Sequence, residues 1–189
     1  MAITTLNNRS INRSDTASAD QVWTATSATA SDFQTGGGIT EADQWRITAS
    51  ITSSADITSN LERVDNTSFE KIGTGLTESS GIFTFPSTGL YLVRFNMQGY
   101  GASDDNVVGY IYTTTDDSSY TGDAQCYLSG DGSTAGSAGA LAESFFNVTS
   151  TSTHKVKFNV TSIANGSGAW GSTTINATCF TFIRLGDSQ

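Results

Sequence analysis

Apolar and polar residues alternate with a period of two through most of this chain. In QWRITASIT, Trp45, Ile47, Ala49 and Ile51 fall on one side. In GLYLVRFNMQGYG, Tyr91, Val93, Phe95 and Met97 fall on one side and Arg94, Asn96 and Gln98 on the other. In HKVKFNVTSI, Val156, Phe158 and Val160 alternate with Lys155, Lys157 and Asn159. Alternation of this kind predicts half-buried β-strands. GIFTF, NVVGYIYTTT, AQCYLSG, ALAESFFNV and the apolar TTINATCFTFIRLG add further strands, with clusters of glycine, serine and aspartate between them. The pattern predicts about eight to ten antiparallel strands, arranged as a two-sheet sandwich or jelly roll. No segment has the period of a helix. The alanine-rich stretch 132–144 carries enough glycine and serine to be read as a loop.

The alternation fails near the N-terminus. Residues 1–44 are polar, with isolated apolar positions at Ile3, Leu6, Ile11, Val22, Trp23 and Phe33. That is too little apolar surface for a core. The run TGGG at 35–38 reads as a hinge. The predicted organisation is an extended arm over 1–44 followed by a β-domain over 45–189. The arm is either a disordered tail or a segment that orders on a partner. Its two large aromatics, Trp23 and Phe33, favour docking, because such residues anchor interfaces.

Pro86 is the only proline in the 189 residues. It lies between GIFTF and GLYLVRF, and a proline cannot donate to a strand ladder. It therefore marks a strand end. Its fixed φ suits the second position of a turn over 85–88, and Gly89 then opens the next strand. The expectation is a hairpin-like unit with Pro86 at its corner.

Composition supports a β-protein: serine and threonine are abundant, glycines number 19, and charged residues make up 14 % of the chain. The formal net charge of −9 repels phosphate backbones and argues against nucleic acid as a partner. No run approaches the ~18 apolar residues of a membrane span. The first residues lack the basic start and apolar stretch of a signal peptide, so synthesis in a cytoplasm is expected. Cys126 and Cys179 sit in strand-like runs and are expected to be small buried hydrophobes, with a disulfide between them as the minority alternative.

Chemistry-bearing residues are sparse. His154, the one histidine, has no evident nucleophile or carboxylate partner and is expected as an exposed turn residue. TGGG and GDGS lack the lysine of a phosphate loop. The acidic residues Asp104–Asp105, Asp116–Asp117, and Asp123 with Asp131 could offer oxygen ligands to calcium, but solvated loops account for them. No enzyme activity and no cofactor are expected.

Gly81, Phe83, Pro86, Gly89 and Tyr91, continued by Phe95, resemble the signature G-x-F-x-x-P-x-x-G-x-Y of C1q-like domains, whose fold is shared with the tumour-necrosis-factor family. Val93 replaces the usual aromatic, and TCFTFIRLG lacks the usual Phe-Ser-Gly. The resemblance implies a jelly roll that forms homotrimers through an aromatic face. The leader INRSDTASADQVWTATSATASDFQ resembles those of structural proteins of tailed phages, especially of cyanobacterial and other marine hosts. Together these imply a virion structural protein on the capsid surface: a trimeric decoration, or cement, protein gripping the major capsid protein through its arm. The alternative is the receptor- or carbohydrate-binding tip of a tail or head fibre, using Tyr110, Tyr112, Tyr120 and Trp170.

Overall fold

A computed structural model describes residues 21–25, 31–35, 38–67, 69–102, 105–130 and 136–189. The chain divides into two compact units, Met1–Gly38 and Ile39–Gln189. In the first, strand β1 (Gln21–Ala25) pairs antiparallel with β2 (Ser31–Thr35), with Val22 opposite Gln34 and Trp23 opposite Phe33. The candidate arm positions Ile3, Leu6 and Ile11 lie outside the described residues.

The second unit is a sandwich of two antiparallel sheets. Its strands are β3 (Ala42–Ile47), β4 (Ala55–Asp56), β5 (Leu61–Arg63), β6 (Lys71–Ile72), β7 (Thr77–Ser79), β8 (Ile82–Thr84) and β9 (Gly89–Gly101). They continue with β10 (Asn106–Thr114), β11 (Thr121–Ser129), β12 (Gly136–Val148), β13 (Lys155–Thr161), β14 (Gly168–Ala169) and β15 (Cys179–Gly186). One sheet has six strands in the order β11-β10-β13-β8-β7, with β4 on β13. The other has seven in the order β12-β9-β15-β3-β5, with β14 on β9 and β6 on β3. Of these thirteen strands seven have six residues or more; the other six are two- and three-residue pieces, among them β8 within the predicted strand GIFTF.

The core lies between the sheets. Tyr91, Val93, Phe95 and Met97 of β9 are fully buried and face Phe83, Val156, Phe158 and Val160 of the opposite sheet. Phe158 stacks on Phe180 across the gap with ring centroids 4.0 Å apart. Phe83 touches Trp45, Phe158, Phe180 and Phe182 at centroid distances of 5.2 to 6.0 Å. Offset and edge contacts of this kind add to the area they bury.

Several expectations are corrected. β8 and β9 belong to different sheets, so Pro86 is not at the tip of a hairpin. It sits where the chain crosses the sandwich: Phe83 and Phe85 point inward from one side, and Tyr91 from the other. Phe85 and Tyr91 meet at 4.6 Å between centroids. The Tyr91 hydroxyl donates to the Ser87 carbonyl at 3.0 Å and lies 2.9 Å from its Oγ, which ties the corner to the core. Burial pushes the Tyr91 phenol above its ordinary pKa. The hairpin is the one before, β7–β8, and its glycine is Gly81. Ser80 and Gly81 have φ of 52° and 83°, the two left-handed positions of a tight hairpin turn. A Cβ on Gly81 would collide with the Ile57 carbonyl, and one on Gly89 with the Gly186 carbonyl.

The stretch read as a loop at 132–144 is largely strand. β12 pairs with β9 along all 13 residues. Alanines opposite bulky inward residues decide this: Ala140 faces Met97 and Ala142 faces Phe95. Pairing overrides the weak strand propensity of alanine and glycine. The edge of the domain also moves. β3 starts at Ala42 and ends at Ile47, so 42–44 belong to the sandwich and Ala49 is exposed beyond it. Asp43 explains the early start, because its carboxylate is fully enclosed and committed to the fold.

Tyr91→Ala is expected to destabilise the protein by about 3–5 kcal/mol. Tyr91→Phe, which keeps the ring and loses the Ser87 bonds, should cost about 1 kcal/mol. Urea midpoints at unchanged m-value measure both.

Candidate functional site: the solvent face of the seven-stranded sheet

Because β9 uses its odd positions for the core, Leu90, Leu92, Arg94, Asn96, Gln98 and Tyr100 point away from it. Antiparallel register sets their neighbours. Leu92 lies between Phe145 of β12 and Ile183 of β15. Arg94 lies between Glu143 and Thr181, and Asn96 between Leu141 and Cys179. The face is thus striped: an apolar row, a charged row, then a mixed row. Phe145 is 68 % exposed and Leu141 53 %. Arg94 Nε bonds Glu143 at 3.0 Å, but both side chains are about half exposed, and such a pair adds little stability. In the apolar row Phe145 is exposed while Leu92 and Ile183 are half-buried, and such a row on a solvent-facing sheet is a candidate interaction surface.

The β3 margin is held by buried charge. On the core side, Asp43 accepts from Arg63 Nε at 3.0 Å, from the Trp45 indole at 3.0 Å and from the Leu76 amide at 2.8 Å. On the other side, the fully buried Arg46 reaches Glu62 at 2.8 Å, Asp65 at 2.9 Å and Asn66 at 3.2 Å. These two residues clamp the segment 61–76 against the sheet. Sequence reasoning missed both, since a carboxylate and a guanidinium beside a tryptophan look like surface residues.

The residues singled out in the sequence scatter over the molecule. Tyr110, Tyr112 and Tyr120 come together at the solvent face of the six-stranded sheet, whereas Trp170 sits beside Gln98 at the end of the other. His154 is buried rather than exposed, at 8 %. The β12–β13 turn folds its ring to 5.7 Å from Phe146, and its nitrogens lie 3.1 Å from the Thr149 and Thr153 hydroxyls. Asp105 accepts from Asn165 and Ser167. Asp116 caps its own turn, and the amides of Ser119 and Ser118 hold its carboxyl well below the usual range. Asp123 bonds Ser144 across the edge of the sandwich. Asp104 and Asp131 lie outside the described residues. Among the described residues no three His, Cys, Asp or Glu side chains are grouped to hold a metal ion.

Leu90, Leu92, Phe145 and Ile183 did have a sequence signal. The runs LYLV, SFFN and FTFI carry apolar residues at both parities, the pattern of a strand covered on both faces. Tyr91 and Phe95 are fully buried inside the sandwich, as the alternation predicts. The outward row is mainly aliphatic, with Phe145 as its aromatic member.

Cys126 and Cys179 are free, buried thiols in different sheets. Burial pushes the Cys126 thiol up to about 11 from an ordinary 9.0, and that of Cys179 upward as well. Only the thiolate is nucleophilic. Neither cysteine should react with a thiol reagent at pH 8 in the folded protein, and both should react in guanidinium. Unfolding frees a thiol of ordinary acidity, so the contribution of Cys126 to stability falls as pH rises from about 9 to 11. At the β3 margin, Asp43→Ala should cost about 3 kcal/mol by stranding Arg63 and the Leu76 amide. It should also raise hydrogen exchange across 61–76.

No protein-family model matches the sequence, and no curated protein matches it. Solved structures do match in fold. Eiger TNF from S. frugiperda superposes with a TM-score of 0.61 at 14 % identity, covering 80 % of this chain and 96 % of that one. Murine APRIL at pH 8.0 gives 0.55 at 11 % identity, covering 77 % and 98 %. Murine APRIL at pH 5.0 gives 0.54 at 14 %, again covering 77 % and 98 %. At these identities the likeness is one of fold: the sandwich is a TNF-like jelly roll.

Proposed function

We propose that this protein is a non-enzymatic, homotrimeric structural protein of a virion, which decorates the capsid surface and grips the major capsid protein through its N-terminal unit. The observation that carries self-association is the apolar row Leu92–Phe145–Ile183 on the solvent face of the seven-stranded sheet. A second copy would cover this row and remove its apolar surface from water. The charged row beside it, Arg94 and Glu143, would set orientation more than affinity. Three copies are favoured over two by the C1q-like signature in the sequence.

The two-unit layout supports the attachment role. Each copy carries the unit Met1–Gly38 ahead of the sandwich, so a trimer presents three grips at high effective concentration. Weak contacts from Trp23 and Phe33 then add up. The shell as partner rests on the resemblance of the leader to phage structural proteins.

Sedimentation equilibrium of the full chain should give the mass of three copies, and a single-copy mass would sink the proposal. Leu92→Glu combined with Phe145→Glu should yield a folded monomer, since both side chains point away from the core. A chain lacking residues 1–38 should remain trimeric but no longer co-sediment with particles that lack the protein. Normal co-sedimentation of that truncation would show that the grip lies elsewhere. The deletion stops at 38 because removing 39–44 would take Asp43 with it.

A further inference from the structure

We propose that the solvent face of the six-stranded sheet is a binding site for a neutral saccharide, centred on Tyr112, Tyr120, Lys157 and Asn159. The site is independent of the self-association row, which lies on the other sheet.

Strand register assembles it. β10 places Tyr110 and Tyr112 on one face, with ring centroids 5.6 Å apart and planes 37° apart. Pairing with β13 sets Tyr112 opposite Lys157 and Tyr110 opposite Asn159, and pairing with β4 sets Asn159 opposite Asp56. Lys157 Nζ lies 4.7 Å from the Tyr120 ring and 5.6 Å from the Tyr112 ring, so one ammonium holds two aromatic side chains in place. It also bonds Asp56 at 2.8 Å. Gly122, opposite Tyr112 on β11, has no side chain to cover the rings. The platform is therefore ordered before any ligand arrives, which lowers the entropy lost on binding.

Two polar atoms on this platform have no partner. Among the described residues, the buried side-chain atoms without a hydrogen bond are Tyr120 Oη and Asn159 Oδ1. Asn159 Nδ2 donates to Asp56 at 2.7 Å, which fixes the amide and leaves its enclosed oxygen without a partner. Buried polar atoms are ordinarily satisfied, and unsatisfied ones call for an explanation. Tyr120 lines a depression of about 110 Å³ together with Lys157, Asp56 and Ile82 among others, and Asn159 lies beside Asp56 at its margin. A second depression, of about 340 Å³, lies beside Tyr110 along Gly122–Gln125.

The chemistry selects the ligand. Aromatic faces suit the C–H faces of a pyranose ring, and the unpartnered Tyr120 hydroxyl at the depression suits its OH groups once the ring shifts to meet a ligand. Lys157 is neutralised by Asp56, and the chain carries a net charge of −9, so an anionic sugar or a phosphate finds no uncompensated cation. The depressions are shallow, so single-site affinity is expected in the millimolar range, strengthened wherever several copies bind together.

The test is an array of neutral and acidic oligosaccharides probed with the labelled full chain. The best neutral binder is then titrated as free sugar by NMR. Retention of neutral glycans is expected. Tyr112→Ala should abolish it. Tyr120→Phe should weaken it at least ~5-fold while leaving thermal stability unchanged or raised, because the hydroxyl has no partner to lose. A purely structural tyrosine would show the opposite: lower stability with binding intact. The Leu92→Glu/Phe145→Glu chain should lose array avidity but keep the single-site titration, which separates this site from the trimer reading. The proposal is overturned if no neutral glycan is retained, if only acidic glycans are, or if Tyr112→Ala and Tyr120→Phe bind like the parent.

Discussion

The sandwich depends on a column of aromatic rings between its sheets, with Phe158 lying on Phe180 at its centre. Phe83 and Phe158 come from the six-stranded sheet, and Phe95, Phe180 and Phe182 from the seven-stranded one. Each ring touches rings from the facing sheet, so neither sheet can slide without breaking several contacts. In a strand, a slip of one residue would turn every inward ring to water. The column therefore locks the register of β9, β13 and β15 together.

That lock decides what faces outward. With Tyr91, Val93, Phe95 and Met97 committed to the interior, Leu92 must stand outside between Phe145 and Ile183. With Phe158 inside, Lys157 and Asn159 must stand outside beside Tyr112 and Tyr110. One core thus presents two unlike surfaces. The seven-stranded sheet offers an aliphatic row suited to another protein surface. The six-stranded sheet offers aromatic faces, with the unpartnered Tyr120 hydroxyl enclosed beside them. The clamps at Asp43 and Arg46 serve neither face directly. They pin the long excursion between β5 and β7 so that the margin of the seven-stranded sheet keeps its shape.

Much of the sandwich was legible because two-residue alternation is a local property. The inward faces of β9 and β13 follow from residue order alone, and so does the strand end at Pro86. What alternation cannot convey is which strand lies beside which. GIFTF and GLYLVRF look like one hairpin, because a proline corner between two strands reads alike whether the chain turns back in one sheet or crosses to another. The stretch 132–144 looks like a loop, because alanine and glycine have weak strand preference until a partner such as β9 supplies the ladder. His154 looks exposed, because nothing in TSTSTH announces that a turn will fold it onto Phe146.

By itself, then, the sequence determined that the described residues are all-β and that the core is aromatic, since both rest on composition and short-range periodicity. Tertiary structure alone decided the rest. It turned Pro86 from a hairpin tip into a crossing between sheets, and it buried Asp43 and Arg46. It also brought Lys157 of β13 onto Tyr112 of β10 and onto Tyr120 in the turn before β11. Those outcomes depend on pairing between distant strands, whose energy comes from contacts that residue order does not contain.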